Sequence, residues 1–337
     1  MDSEPNWGGL MHEEDSYQLS IVIPVYRGEQ CLPSLIHEIA TLAECNTSPA
    51  GNRYVVTEVL LVHDCGPDHS DRTIEALCEQ YSFTRPIWLS RNFGQHAATL
   101  AGMASTSGDW IVTIDEDGQH NPADIGSMLD RALSDALQVV YAEPRNSPPH
   151  GIIRNTFSWT AKAISSGLLG NEELGRFSSY RLIDGEIART LAAYCGSGVY
   201  LDVALYWIAG RVGRCPVLLR SESRQASGYS YRKLVTHFWN LILTTGTRPL
   251  RLITVFGFFS MALALAITTY ALYGKFVSDM PIQGWASLVI VVSFFSGSIL
   301  TALGVIAEYL AVSVGIALGK PLYIVCTKPT RAAPEKS

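Results

Sequence analysis

Two long runs without a single charged residue limit what this chain can become. Leu252 to Gly274 and Trp285 to Ala307 are each 23 residues long. At about 1.5 Å per helical residue, each is long enough to cross the roughly 30 Å hydrocarbon layer of a bilayer. A soluble core seldom buries two such helices in tandem. The flanking charges orient them. Arg248 and Arg251 precede the first run; Lys320, Lys328 and Arg331 follow the second; the link between them holds only Lys275 and Asp279. The positive-inside rule then predicts both chain ends in the cytoplasm and the loop Lys275 to Gly284 outside. Glu308 falls at the inner end of the second run, where a carboxylate is expected at the interface or beside a cation. The expected layout is a two-span membrane region over 252–314 and a cytoplasmic tail over 315–337.

Ahead of the spans the pattern is that of an α/β domain. Residues 1–18 hold five acids and no Lys or Arg, and read as an acidic disordered tail without a signal peptide. Strands are predicted at Leu19–Tyr26, Tyr54–Asp64, Pro86–Ser90 and Trp110–Ile114, with a further one near Val139–Ala142. Helices between them are predicted at Leu32–Ala43, from Ser70 as cap to Tyr81, and at Ala97–Ser105. This alternation predicts a doubly wound, mostly parallel sheet, which binds ligands at the carboxyl ends of its strands. From Arg145 onward the alternation weakens. An amphipathic helix is expected over Arg154–Leu169 and a strand and turn over Ser178–Asp184. Helices near Glu186–Tyr194 and Tyr200–Ala209 and a strand over Cys215–Leu219 complete the reading. The net charge of −6 argues against a nucleic-acid partner, and seven scattered cysteines without a Cys-x-x-Cys pair fit a reducing compartment.

Chemistry concentrates at the end of the fourth strand, in Asp115-Glu-Asp-Gly-Gln-His-Asn-Pro122. Asp115, Asp117 and Gln119 are spaced to point at one spot if the chain leaves the sheet extended. Two carboxylates and an amide oxygen suit a hard divalent cation, Mg²⁺ or Mn²⁺, with positions left open for substrate phosphates. A solvated acidic loop would share this spacing. That reading does not account for Tyr26, Asp64 and Arg91 falling at the ends of the other strands. Between Arg214 and Arg251 the cations are Arg214, Arg220, Arg224, Arg232, Lys233, Arg248 and Arg251, against one acid, Glu222. Tyr229, Tyr231, Phe238 and Trp239 are interleaved. By itself such a stretch fits nucleic acid or a membrane surface; the spans that follow favour the membrane.

Together these residues resemble the family 2 glycosyltransferases that charge polyprenyl phosphates, the group of dolichyl-phosphate mannose synthase and the bacterial undecaprenyl-phosphate glucosyl and aminoarabinosyl transferases. The likeness runs from about residue 19 to 325. It is carried by Ile21-Val-Ile-Pro-Val-Tyr26, Leu89-Ser-Arg-Asn-Phe-Gly94, Ile114-Asp-Glu-Asp-Gly-Gln119, Ser227-Gly-Tyr-Ser-Tyr-Arg-Lys-Leu234, and Glu308-Tyr309 with Lys320-Pro321. There are departures. His63-Asp64 stands where the family has paired Asp. Gln225-Ala-Ser-Gly228 stands where Gly-Glu-Ser-Lys is usual. Ser179 stands where the glucosyl type has Asp.

The resemblance implies a GT-A catalytic domain over 19–228, a juxtamembrane amphipathic segment over 229–251, and residence in the inner membrane. It implies inverting transfer of a sugar from a nucleotide-diphosphate sugar to a polyprenyl phosphate at the cytoplasmic face. Pro24, Tyr26, Asp64, Arg91 and Asp115 would then face the donor. Asp115, Asp117 and Gln119 would hold the metal. Arg154, Arg181, Arg224 and Ser227 would face the acceptor phosphate, because an Arg fork suits phosphate. Asp117 and Arg181 would be the residues nearest the chemistry. The expected partners are donor, lipid acceptor and bilayer, with a homo-oligomer left open. A transferase acting on a glycolipid or polysaccharide hydroxyl usually carries Gln-x-x-Arg-Trp, which does not occur here.

Overall fold

A computed structural model describes residues 16–146, 177–196, 201–220, 284–318 and 321–328, with part of 255–273. They fall into two compact units. The first is built on a sheet whose strands are β1 (Tyr17–Val25), β2 (Asn46–Thr47), β3 (Arg53–His63), β4 (Thr84–Leu89), β5 (Trp110–Thr113), β6 (Val139–Pro144), β7 (Arg181–Asp184), β8 (Val212–Val217) and β9 (Val325–Cys326). Their order is β8-β6-β7-β5-β1-β3-β4-β9, with β2 paired to β3. The pairs β1–β3, β1–β5, β3–β4 and β6–β8 are parallel; β7 and β9 run against their neighbours. The sheet is therefore mixed, with a parallel centre.

β1 explains why the fold closes around it. Every residue from Leu19 to Val25 is buried, as a central strand covered on both faces requires. Leu19, Ile21, Ile23 and Val25 face helices α1 (Leu32–Ala40), α2 (Ser70–Gln80) and α4 (Ile125–Ser134). Val22 faces α3 (Gln95–Met103), α5 (Gly185–Tyr194) and α6 (Leu201–Ile208). This two-residue period sorts the core into two layers, one per face.

Glu58 on β3 is one of the charged residues buried in this core. It accepts hydrogen bonds from Ser20 Oγ (2.7 Å), Ser107 N (2.6 Å), Ser107 Oγ (2.8 Å) and Arg85 Nη2 (2.7 Å). Burial alone would push its carboxyl up. These hydrogen bonds outweigh that and hold it below its ordinary value. A depressed folded-state pKa contributes stability that is complete above the unfolded value and is lost as pH falls through the folded one. Glu58→Gln is therefore expected to cost about 1–3 kcal/mol at neutral pH. The variant should also lose less stability than the parent on acidification. Urea unfolding followed by tryptophan fluorescence at neutral and acid pH measures both.

The structure corrects several expectations. Tyr17 and Gln18, assigned to the acidic tail, pair with Tyr54 and Val55 as the start of β1. Ser70 does not cap α2. It is the first helical residue, with Asp68 Oδ1 accepting from its N–H at 3.3 Å. The C-terminal segment, expected as a cytoplasmic tail, supplies β9, which lies antiparallel on β4 with Trp88 opposite Cys326 and Leu89 opposite Val325. Ser90 N donates to Ile324 O (2.9 Å), and Lys328 reaches Glu75 (2.5 Å). The segment covers a sheet edge that would otherwise be open. A strand of two residues carries no period, so the sequence pattern could not reveal it. The amphipathic helix expected over Arg154–Leu169 and the juxtamembrane segment expected over 229–251 lie outside the described residues.

The second unit contains α7 (Trp285–Ala317), a helix of 33 residues. Its window Phe294–Ala311 has mean hydropathy 1.5 and none of it is buried inside the protein. Among the described residues this is the one helix long and apolar enough to cross a membrane. Ser298, Thr301 and Ser313 turn their hydroxyls back onto carbonyls four residues earlier, at 2.8 to 3.0 Å. That leaves no bare hydroxyl donor among them on an apolar surface. The helix runs past both Glu308 and the boundary expected at 314. The run Leu252–Gly274 is described only in part, and there it is helical.

Candidate active site

Four strands of the first unit end at one edge of its sheet, and four turns follow them. The turn after β1 is Tyr26 to Gly28. Its N–H groups at Tyr26 (3.0 Å) and Arg27 (2.9 Å) donate to the carboxylate of Glu116, which fastens it to the acidic loop after β5. The turn after β3 packs so closely that a Cβ on Gly66 would stand 1.5 Å from the carbonyl oxygen of Tyr26. Only glycine fits there.

Asp64 follows β3 and is 3% exposed. Its two carboxylate oxygens accept from the N–H groups of Phe93 (2.7 Å) and Gly94 (2.9 Å). Asp64 thus shapes the turn after β4, whose Gly94 adopts φ +93°. Burial pushes its carboxyl up more than these two hydrogen bonds pull it down. Arg91 is exposed, with its guanidinium 4.4 Å from the centre of the Phe93 ring. Pro24 is buried in β1 opposite Val62, and Tyr26 beyond it is 41% exposed.

Asp115, Asp117 and Gln119 are half-buried in the loop after β5. Asp115 accepts from Gln95 Nε2 (2.6 Å) on one oxygen and from Ser179 Oγ on the other. Asp117 Oδ1 accepts from the N–H of Gln119 (3.0 Å), which curls the loop. Asn121 then caps the turn Pro122–Asp124 by accepting from Ala123 N (3.2 Å), as its position before Pro122 predicts. Among the described residues, no group of three or more His, Cys, Asp or Glu side chains is gathered as a closed metal site. Two carboxylates and one amide are still a fitting donor set for a cation that takes its remaining ligands from phosphate and water.

Arg181 is not at this edge in the manner expected. It is 3% exposed, and its guanidinium is paired with Asp202, which is 5% exposed. Its Nε donates to Thr113 Oγ1 (2.9 Å) and its fork lies 6.0 Å from the Tyr141 ring centre. Tyr141 OH donates to the same Asp202 (3.1 Å). The fork expected to face a phosphate is occupied by a buried carboxylate. Arg154, Arg224 and Ser227 lie outside the described residues. His63 and His120 are buried against the Trp88 and Tyr180 rings, consistent with structural roles.

Three residues that the sequence reading passed over now belong to the site. Gln95 and Ser179 orient Asp115, and Glu116 locks the turn after β1. Ser179 had a signal, as a departure from the family pattern. Glu116 had none, because its partners are main-chain groups about ninety positions away.

Residues 20–187 match the family Glycosyl transferase family 2. The chain carries a glycosyl transferase family 2 domain. It is 27% identical, over 91% of its length and 92% of the relative's, to the undecaprenyl-phosphate 4-deoxy-4-formamido-L-arabinose transferase of Klebsiella pneumoniae subsp. pneumoniae. It is 28% identical, over 91% and 93%, to YkcC of Bacillus subtilis, described as an uncharacterized glycosyltransferase. A crystal structure of a mycobacterial protein superposes with TM-score 0.50 at 18% identity, covering 69% of this chain and 74% of that one; this likeness concerns the fold.

Proposed function

We propose that the chain transfers a sugar from a nucleotide-diphosphate sugar to a polyprenyl phosphate, with undecaprenyl phosphate as the acceptor to test first. One observation supports this above the others. The Asp115–Gln119 loop, the Tyr26–Gly28 turn and the Asp64-braced turn at Arg91 share one sheet edge, in a chain whose relatives are named for that class of transfer. The domain layout read from the sequence belongs to the proposal, with β9 added to the catalytic unit. So do the cytoplasmic placement of both ends and the inner membrane.

An acceptor phosphate has its second pKa near 6 and is largely dianionic at neutral pH. Its oxygen forms the bond to the anomeric carbon as the bond to the leaving diphosphate oxygen breaks, with inversion. The electron pair departs on the nucleoside diphosphate. A dianionic nucleophile carries no proton to remove, so no general base is required. The site must hold both phosphate clusters and align them. In this reading Tyr26, Asp64 and Arg91 line the nucleoside end, and the half-buried Asp115, Asp117 and Gln119 hold Mg²⁺ or Mn²⁺. When bound, that cation offsets the diphosphate's negative charge. Gln95 and Ser179 keep Asp115 aimed, and Glu116 keeps the nucleoside turn and the acidic loop in register.

The test is incubation of membranes containing the protein with labelled nucleotide sugars, undecaprenyl phosphate and Mn²⁺. Label is expected in an acid-labile lipid, and at limiting Mn²⁺ the Asp117→Asn membranes should incorporate less by about 10²-fold or more. Transfer to a lipid or polysaccharide hydroxyl, with no charged lipid product, would reverse the acceptor assignment.

A further inference from the structure

Arg220, just past β8, belongs by sequence to the run of cations read as facing lipid. The structure uses it elsewhere. Its N–H donates to the carbonyl of Gln119 (2.9 Å), and its Nη2 donates to Oδ1 of Asn121 (2.6 Å). Its Nη1 donates to both carboxylate oxygens of Glu38 on α1 (2.9 and 2.7 Å). One side chain thus ties α1 to the far end of the acidic loop, while its own backbone pins Gln119. Tyr180 OH adds a bond to the Asn121 carbonyl (2.9 Å). The near end of the loop is already held through Asp115 and Glu116.

We propose that Arg220 is a positioning residue of this site. It fixes the Gln119–Asn121 end of the loop, and so sets how tightly Asp115, Asp117 and Gln119 hold a divalent cation, without touching cation or donor. The inference rests on the reading of that loop as the cation site. The ion pair with Glu38 is half-exposed and on its own contributes little. The planar fork gives the contact its value, since it meets Glu38 and Asn121 at fixed geometry and an ammonium cannot. Groups that orient metal ligands typically change metal affinity by about 10- to 100-fold when removed.

The experiment is Mn²⁺ binding to the full-length protein in detergent, read by the spin-resonance signal of free Mn²⁺, with no nucleotide or lipid present. Arg220→Ala is expected to weaken binding by about 10- to 100-fold with an unchanged unfolding midpoint. Arg220→Lys, which keeps the charge beside Glu38 and loses the fork, is expected to weaken it to a similar degree. It carries the test alone if the Ala variant does not fold. Unchanged affinity in the variants overturns the proposal. So does full repair by Lys, which would assign the effect to charge. Wild-type protein that binds no Mn²⁺ overturns the cation reading itself, a result distinct from either.

Discussion

Asp117→Asn is expected to lower sugar transfer by about 10²-fold or more at limiting Mn²⁺, the size of loss seen when a charge-stabilising group is removed from a reaction centre. The substitution keeps the shape of the side chain and an oxygen able to accept from Gln119 N. The loop should therefore hold its curl. What is lost is one of the two carboxylates offered to a cation that would balance a leaving diphosphate. Asp115 makes a poorer first test, since Gln95 and Ser179 both bond to it and a substitution would disturb them too. The comparison is initial rates across a Mn²⁺ titration. If high Mn²⁺ restores much of the rate, Asp117 acts through metal affinity. If the rate stays low at saturation, Asp117 acts on the bound state. Near-wild-type turnover at limiting metal removes Asp117 from the site.

The parts of this site visible in the sequence were those written in local pattern. β-branched runs that end on Tyr26, Asp64, Arg91 and Asp115 announce strands and their carboxyl ends, and a parallel sheet brings those ends to one edge. What stayed hidden depends on contacts far along the chain. Glu116 sits between two predicted metal ligands, and nothing in the local pattern assigns it a role. Only the tertiary structure shows that its oxygens are taken by the Tyr26 and Arg27 amides. Asp64 reads as a ligand contact and also proves to be a brace for the Phe93–Gly94 turn. β9 is two residues long and exists only because β4 has an edge to offer. Arg181 is the clearest case. Phosphate chemistry made its fork attractive, while strand parity sent that fork into the core. A clue was present in α6, where Asp202 is a lone acid among Leu201, Val203, Ala204 and Leu205, all buried. An acid inside an apolar run needs a buried cation as partner.

That pairing leads to the largest effect expected on stability. Arg181→Ala should destabilise the catalytic unit by about 3–5 kcal/mol, the cost of leaving one partner of a buried ion pair unmatched. Burial pushes the Asp202 carboxyl up, and the guanidinium is the cation that pulls it back. With Arg181 gone, Asp202 would have to take up a proton or remain charged in the core, with only the Tyr141 hydroxyl bonded to it among the described residues. Thr113 Oγ1 would lose its donor as well, although it would still donate to the Ser179 carbonyl at 2.6 Å. The double replacement Arg181→Met with Asp202→Leu removes both charges. It should recover much of the loss, because apolar groups of similar volume often replace a buried pair without cost. Urea unfolding in detergent, followed by tryptophan fluorescence, gives the stabilities, and transfer assays on the same preparations give the rates. A structural Arg181 predicts that the double variant regains stability and keeps measurable transfer. An Arg181 that grips the acceptor phosphate predicts the reverse: single and double variants folded about as well as the parent, and both without transfer to prenyl phosphate. The second pattern would mean that the guanidinium leaves Asp202 when acceptor binds, and would return Arg181 to the reaction centre.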